Sequence, residues 1–163
     1  MFPMRRLDIY LNDHLAGSML GVELSRRALE ENRGTPPGGF FERLHDEIAE
    51  DRETLVAIIE RLGVDRSLAK PALAWAFEKA GRLKLNGQVR GYSPLSRLIE
   101  LEGLEAGVSG KRSLWQTLQN GLSEDARLQG IDFDRLIRRA DEQLSRIQEQ
   151  RLKCIHEALI EPA

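Results

Sequence analysis

Four polar residues interrupt the apolar stripes of the sequence, and these side chains are the best placed to do chemistry inside a folded core. Asp51, for example, lies between Ile48 and Leu55 at helical spacing. Burying a charge without a partner costs several kcal/mol, so each of these residues should have a partner or a ligand. The four residues are His14, Asp51, Glu102 and Arg151.

Two interpretations of this set stay open, a buried structural network and a metal site. If the second and third long helices run in the same direction, Asp51, Glu102 and Arg151 lie within about two turns, or 11 Å, of one height. Arg151 could then neutralise both carboxylates. Alternatively, carboxylates and an imidazole that project into a bundle are the ligands of iron and manganese centres. We prefer the structural network, because the metal motifs are incomplete.

The motif expected of a two-metal bundle, Glu-x-x-His, occurs once, at Glu42 and His45. Both residues point away from Leu44, and therefore away from the predicted core. Glu47 and Glu50 have the related Glu-x-x-Glu form, but the last predicted helix has no Glu-x-x-His. The sequence therefore does not predict a complete two-metal site.

Composition argues against several classes of function. The chain has 24 Lys and Arg against 26 Asp and Glu, so it lacks the basic excess that a nucleic-acid-binding protein needs. No apolar run has the length of a signal peptide or membrane span, and the lone Cys154 suits a reducing compartment. We therefore expect a cytoplasmic protein that binds neither nucleic acid nor membrane.

The elements that must position these residues are predicted to be helices, because apolar residues recur at helical spacing and alternating β-branched runs are nearly absent. Gly63 and the Ser93-Pro94 pair give clear helix ends. The fold class is all-α: one domain over residues 1–163, an antiparallel four-helix bundle with an extra short helix between the second and third long helices. The predicted ranges are 7–32, 40–62, 68–85, 94–121 and 132–159.

Two features of the third long helix and its surroundings lead to further predictions. Glycines at positions 103, 107 and 110 weaken this helix, and we expect an interruption near Ser109 and Gly110. A strip of Lys and Arg residues around the preceding loop could hold an anion, although a solvated helix surface is the preferred interpretation. The strip comprises Lys79, Arg82, Lys84, Arg90, Arg97, Lys111 and Arg112.

The order of these elements resembles the ferritin-like superfamily, in particular its small, bacterial, stress-associated YciF-type branch. The resemblance rests on three segments and covers most of the chain. They are LDIYLNDHLAG in the first helix, LHDEIAEDRETLVAIIERLGV in the second and LIELEGLEAG at the start of the third.

The resemblance implies a dimeric bundle and, where the ligands are intact, a carboxylate-bridged di-iron centre. Carried over to this sequence, the ligands would be Glu47 or Glu50 and Glu102 or Glu105, with His14 and Glu142 only in offset positions. The ligand set is degenerate, so we expect a non-catalytic ferritin-like bundle with no cofactor and a structural, stress-related or partner-binding role. The alternative is an iron- or manganese-binding, ferroxidase-type bundle. A homodimer or another protein is the expected partner.

Overall fold

Four long α-helices make up most of the computed structural model, which describes residues 6–69, 73–74, 77–78 and 91–160. Short 3-10 helices at Arg66–Leu68 and Ala126–Leu128 follow the second and third long helices. The described residues include no strand, so the prediction of an all-α bundle is confirmed. The long helices are α1 (Arg6–Asn32), α2 (Gly38–Leu62), α3 (Pro94–Gly121) and α4 (Phe133–Leu159).

Local sequence signals explain where α2 ends and where α3 and α4 begin. Gly63 ends α2 in the left-handed conformation, with a φ of 68°, which glycine adopts without a steric penalty. Ser93 caps α3 through a reciprocal capping box with Ser96. The Asp132 side chain caps α4 by accepting a hydrogen bond from the backbone N–H of Arg135. These ends lie within two residues of the predicted ones.

Contacts between the helices define their directions. Asn12, near the start of α1, donates a hydrogen bond to the carbonyl of Asp65, just beyond the end of α2, whereas Ser25 contacts His45 near the start of α2. These two helices therefore run in opposite directions. Glu105 contacts Arg151 and Gln119 contacts Asp134, so α3 and α4 also run in opposite directions. Arg27 contacts Glu100 and Asn32 contacts Arg97, so the same is true of α1 and α3. Consequently α2 and α3 run in the same direction.

The apolar side chains form two separate clusters along the bundle. The first cluster contains Leu11, Leu15, Leu55, Ile58, Ile59, Leu62, Ala69, Leu114, Trp115, Leu118, Leu128, Phe133 and Leu136. The second contains Ala28, Phe41, Leu44, Ile48, Leu98, Leu101, Leu104, Val108, Ala140, Ile147 and Cys154. Between them, α2 places Asp51, α3 places Lys111 and α4 places Gln143. A polar layer therefore separates the two halves of the core.

Two predictions about the middle of the chain have different outcomes. The expected interruption of the third helix is wrong, because α3 is one continuous α-helix from Pro94 to Gly121. Its two apolar faces are accommodated because the first half of the helix, up to Val108, packs in the second cluster and the second half, from Leu114, packs in the first. Of the predicted short helix over 68–85, residue 69 and the pairs 73–74 and 77–78 are helical. Its other positions from 70 to 85 lie outside the described residues.

Candidate functional site

Asp51 is the centre of the polar layer. Its carboxylate is 2% exposed and accepts hydrogen bonds from the Lys111 ammonium and the Arg139 guanidinium. The side-chain amide of Gln143 also donates to Asp51, at 3.3 Å. Each carboxylate oxygen thus has at least one donor, which offsets the cost of burying the charge. Burial lowers the pKa of Lys111, and the adjacent Asp51 opposes that shift.

Further ion pairs extend the layer towards solvent. Gln143 donates to Glu47 at 3.0 Å, and Arg146 pairs with the same carboxylate at 2.5 Å. Arg139 reaches outwards to Glu50 at 2.8 Å. The layer contains three carboxylates and three cations, so it carries no net charge when all six are ionised. We call the following residues the polar layer: Glu47, Glu50, Asp51, Lys111, Arg139, Gln143 and Arg146.

The polar layer is formed by α2, α3 and α4. The remaining helix, α1, faces it with small residues, and a cavity opens between them. Gly17, Ser18 and Gly21 are the residues of α1 at this level, and none has a side chain long enough to fill the space. The cavity has a volume of about 210 Å³ and a mostly apolar lining. Its lining includes Asp51 from α2 and Lys111 from α3. We call this space the α1–α3 cavity.

Glycines line both sides of the α1–α3 cavity without bringing the helices into close contact. A methyl group added at Gly17, Gly107 or Gly110 would meet no other atom within 4 Å. Gly103 differs, because a methyl group there would lie 3.0 Å from the side chain of Leu24. Internal packing therefore explains Gly103 but not the other three, of which Gly17 and Gly107 are exposed on the open side of the cavity.

We expect the Gly17→Ala and Gly107→Ala substitutions each to raise the free energy of unfolding by about 0.5 to 1 kcal/mol. Alanine favours the helix over glycine by this amount, and the added methyl group meets no other atom at either position. Urea unfolding followed by circular dichroism would measure the change. Gly103→Ala is the matched comparison and should gain less, because Leu24 must move. Destabilisation by both substitutions would show that internal packing requires these glycines.

His14 borders the α1–α3 cavity and is half-buried. Its ring meets the ring of Tyr10 edge to face, with centroids 4.6 Å apart. Burial lowers the pKa of this imidazole, and the neighbouring Asp13 opposes the shift. His14 therefore lines the cavity from α1, where burial favours the neutral form of its imidazole.

The structure does not bring the four predicted residues, His14, Asp51, Glu102 and Arg151, into one network. Asp51 is buried among charged partners, but Glu102 is exposed. Arg151 pairs with Glu105 at 3.1 Å instead of with Asp51 or Glu102. The reason is the register of α4: Gln143 meets Asp51, and Arg151 lies eight residues, or about 12 Å, further along.

The candidate metal ligands are not brought together. Arginines 146, 139 and 151 pair with Glu47, Glu50 and Glu105 respectively, while His45 contacts the Ser25 hydroxyl at 3.0 Å. Glu42, Glu102 and Glu142 are exposed. Within residues 6–69, 73–74, 77–78 and 91–160, no three His, Cys, Asp or Glu side chains form a group that could hold a metal ion.

A second buried network, which the sequence did not reveal, ties the end of α1 to the start of α3. The amide of Asn32 donates to the hydroxyl of Tyr92 at 2.8 Å and accepts from Arg97 at 2.7 Å. Tyr92 in turn donates to Glu100 at 2.9 Å, and Arg27 pairs with the other oxygen of that carboxylate at 3.1 Å. Burial raises the pKa of the Tyr92 hydroxyl. These groups satisfy one another, which is typical of a structural network.

Other residues considered from the sequence have simpler environments. Cys154 is buried in the second cluster, and burial raises the pKa of its thiol, so it resembles a small apolar residue more than a nucleophile. In the predicted cationic strip, Lys111 instead belongs to the core, and Arg112 pairs with Asp141 at 2.5 Å. Lys79, Arg82, Lys84 and Arg90 lie outside the described residues.

Comparisons with family models, curated proteins and solved structures give no match to this chain. The resemblance to the ferritin-like superfamily therefore stays a prediction. In the part of the chain that the structure describes, no helix is sufficiently long and apolar to cross a membrane.

Proposed function

We propose that this chain acts without catalysis, as a helical bundle that binds a small and largely apolar molecule in the α1–α3 cavity. The proposal rests on one observation: glycines of α1 and of α3 line the two sides of this cavity. Gly17, Gly107 and Gly110 stand in helix interiors beside open space. A ligand that enters this space supplies the contacts that the helices themselves do not make.

The stability cost of these glycines is large enough to need a reason. Each interior glycine is about 0.5 to 1 kcal/mol less favourable than alanine, so the three together cost roughly 1.5 to 3 kcal/mol. A domain is usually stable by only about 5 to 15 kcal/mol. Since the three glycines allow no close helix contact, their contribution is the open volume itself. This cost supports a role in binding.

The volume of the cavity limits the size of the ligand. An apolar cavity of about 150 Å³ can bind benzene, and pockets for drug-sized ligands begin near 300 Å³. The α1–α3 cavity, at about 210 Å³, lies between these values. A single ring with a short substituent, or an aliphatic molecule of similar size, therefore fits best.

The charged groups of the cavity support binding more than catalysis. The Asp51 carboxylate accepts hydrogen bonds from Lys111, Arg139 and Gln143. A carboxylate engaged in this way is a poor general base, because its proton-accepting oxygens are already occupied. This hydrogen-bonded arrangement suits a rigid polar surface on one side of an apolar ligand.

The ferritin-like resemblance remains part of the proposal at the level of the fold. Its support is the common direction of α2 and α3, since ferritin-like bundles have one long crossover connection. A fold does not fix a function, and the arginine pairs of Glu47, Glu50 and Glu105 give no support to the iron or manganese alternative. Homodimer formation, another protein partner and a cytoplasmic location stay predictions.

The test is a titration with ethylbenzene and with acetophenone, each a single ring with a short substituent, followed by ¹H–¹⁵N NMR. We expect millimolar or tighter binding, with shifts concentrated at Gly17, Gly21 and Gly107. Gly107→Leu should weaken binding of both compounds about tenfold or more, because its side chain occupies the cavity. Gly17→Leu, on the opposite wall, should have the same effect.

Gly39→Leu is the matched control, because Gly39 lies in the first turn of α2, beside open space but away from the cavity. It should leave the affinities unchanged. Circular dichroism must show that all variants remain helical. If neither compound binds the original chain, or if both cavity substitutions leave binding intact, the α1–α3 cavity is not a ligand site.

A further inference from the structure

A second cavity lies at the end of the bundle, where the loop between α1 and α2 meets the start of α3 and the end of α4. Its volume is about 480 Å³, and small-molecule sites range from roughly 300 to 1,000 Å³. Among the described residues, none lines both this space and the α1–α3 cavity. We call it the loop-end cavity, and its lining includes Pro37, Phe41, Arg97, Leu101, Cys154 and Glu157.

The charged end of Arg97, and not only its aliphatic stem, lies at the loop-end cavity. Its Nη1 atom is 3.9 Å from a carboxylate oxygen of Glu157. Burial raises the pKa of the Cys154 thiol, and the Arg97 guanidinium is near enough to oppose that rise. Glu157 and Cys154 both line the cavity, so the guanidinium lies beside two lining side chains of α4.

A buried hydrogen bond fixes the orientation of this guanidinium and leaves its outer edge open. Arg97 donates through Nε to the side-chain oxygen of Asn32 at 2.7 Å, and Asn32 is fully buried and held by Tyr92. No described residue accepts a hydrogen bond from Nη1 or Nη2, since Glu157 is too distant for one. Both nitrogens retain accessible surface, because neither is fully enclosed in the way that the Nε atom of Arg139 is. A ligand can therefore reach them.

The chemistry of this edge favours a carboxylate with an apolar body. The two terminal N–H groups of an arginine match the two oxygens of a carboxylate in spacing and in charge. Glu157 competes for the guanidinium, but it is 68% exposed and can turn into solvent at little cost. Beside the charged edge, Pro37, Phe41 and Leu101 give the cavity an apolar surface. One guanidinium edge balances one negative charge, which a carboxylate has and a phosphate monoester exceeds.

We infer that the loop-end cavity binds an organic carboxylate, whose oxygens pair with Nη1 and Nη2 of Arg97 while its apolar part packs against Phe41 and Leu101. The buried network of Asn32 and Tyr92 holds the guanidinium ready for the ligand, so little side-chain freedom is lost on binding. This site is separate from the α1–α3 cavity and does not depend on the function proposed for that cavity.

The test compares 1-naphthylacetate with 1-naphthylacetamide by calorimetric titration. The two compounds have nearly the same shape, and only the first has a negative charge. We expect the carboxylate to bind the original chain about tenfold more tightly than the amide. Arg97→Gln should weaken binding of the carboxylate about tenfold and change that of the amide little, a coupling that the double-mutant cycle measures.

Arg138→Gln is the matched control, because it removes the same charge from an exposed position of α4 that does not line the cavity. It should leave both affinities unchanged. Equal losses for the two compounds on Arg97→Gln, or an amide that binds as tightly as the carboxylate, would overturn the inference. Tighter binding of 1-naphthyl phosphate than of 1-naphthylacetate would overturn the carboxylate class.

NMR of the original chain gives a readout that needs no substitution. The Arg97 Nε–H signal should move with 1-naphthylacetate and much less with 1-naphthylacetamide, and the backbone shifts should be concentrated at Phe41, Leu101 and Cys154. Shifts at Gly17 and Gly107 instead would place the compound in the α1–α3 cavity and overturn the inference while supporting the proposed function. Should Arg97→Gln unfold the chain, the Nε–H signal decides the inference alone.

Discussion

Replacing Asp51 by alanine should lower the free energy of unfolding by roughly 3 to 5 kcal/mol. The substitution removes the anion that Lys111 and Arg139 share, and it leaves two cations close together in a largely buried layer. Their side chains are only 15% and 16% exposed, so water can replace the carboxylate only in part. Urea unfolding followed by circular dichroism, with linear extrapolation, would measure the loss.

A surface carboxylate of the same helix provides the matched control. Asp46 is exposed, and its substitution by alanine should change stability by no more than about 0.5 kcal/mol. Adding Lys111→Met to Asp51→Ala should recover part of the loss, because it removes the cation that loses its anion, whereas Arg139 keeps its pair with Glu50. Strictly additive effects of these two substitutions would contradict the ion pair as the cause.

The polar layer has a consistent sequence pattern. On α2, Asp51 lies three residues after Ile48 and four before Leu55. The same spacing of three and four occurs around a polar residue on each of the other helices. The sets are Leu15, Ser18 and Val22 on α1, Val108, Lys111 and Trp115 on α3, and Ala140, Gln143 and Ile147 on α4. This spacing therefore marks Asp51, Lys111 and Gln143, the three residues of the layer that interrupt apolar stripes.

The partners within the layer could not be predicted, because they depend on how far each helix is shifted along its neighbour. Arg151 interrupts an apolar stripe as clearly as Gln143 does, yet it lies about 12 Å beyond the level of Asp51. The sequence analysis predicts Lys111 and Arg112 to be part of one cationic strip around the preceding loop. Its long side chain crosses the core between α3 and α2, a reach that a helical wheel does not represent.

Helix ends were predicted more accurately than contacts, since they depend on a few neighbouring residues. Gly63 and Ser93 act through their own backbone or side chain, so their signals are local. The glycines of α3 show the limit of such reasoning. Helix propensity indicates that Gly107 and Gly110 weaken the helix. The structure shows that the helix is nevertheless continuous and that both glycines line a cavity shared with α1.

Leu55→Ala should lower the free energy of unfolding by about 2 to 5 kcal/mol, close to the upper end of this range. Leu55 is 2% exposed, packs in the first apolar cluster and also forms part of the cavity wall. Shortening it removes apolar contacts and joins new empty volume to the existing 210 Å³. The glycine-lined walls have no side chains that could move in to fill the space.

Two comparisons make this expectation specific. Ile99→Ala removes a similar number of carbons from a side chain that is 47% exposed, and it should cost less than about 1 kcal/mol. If the cavity is a ligand site, ethylbenzene should restore more stability to Leu55→Ala than to the original chain, because the enlarged site holds it with fewer constraints. A loss below about 1 kcal/mol for Leu55→Ala would mean that the bundle closes around the gap. In that case α1 and α3 can approach each other, and the glycines serve that movement instead of a fixed cavity.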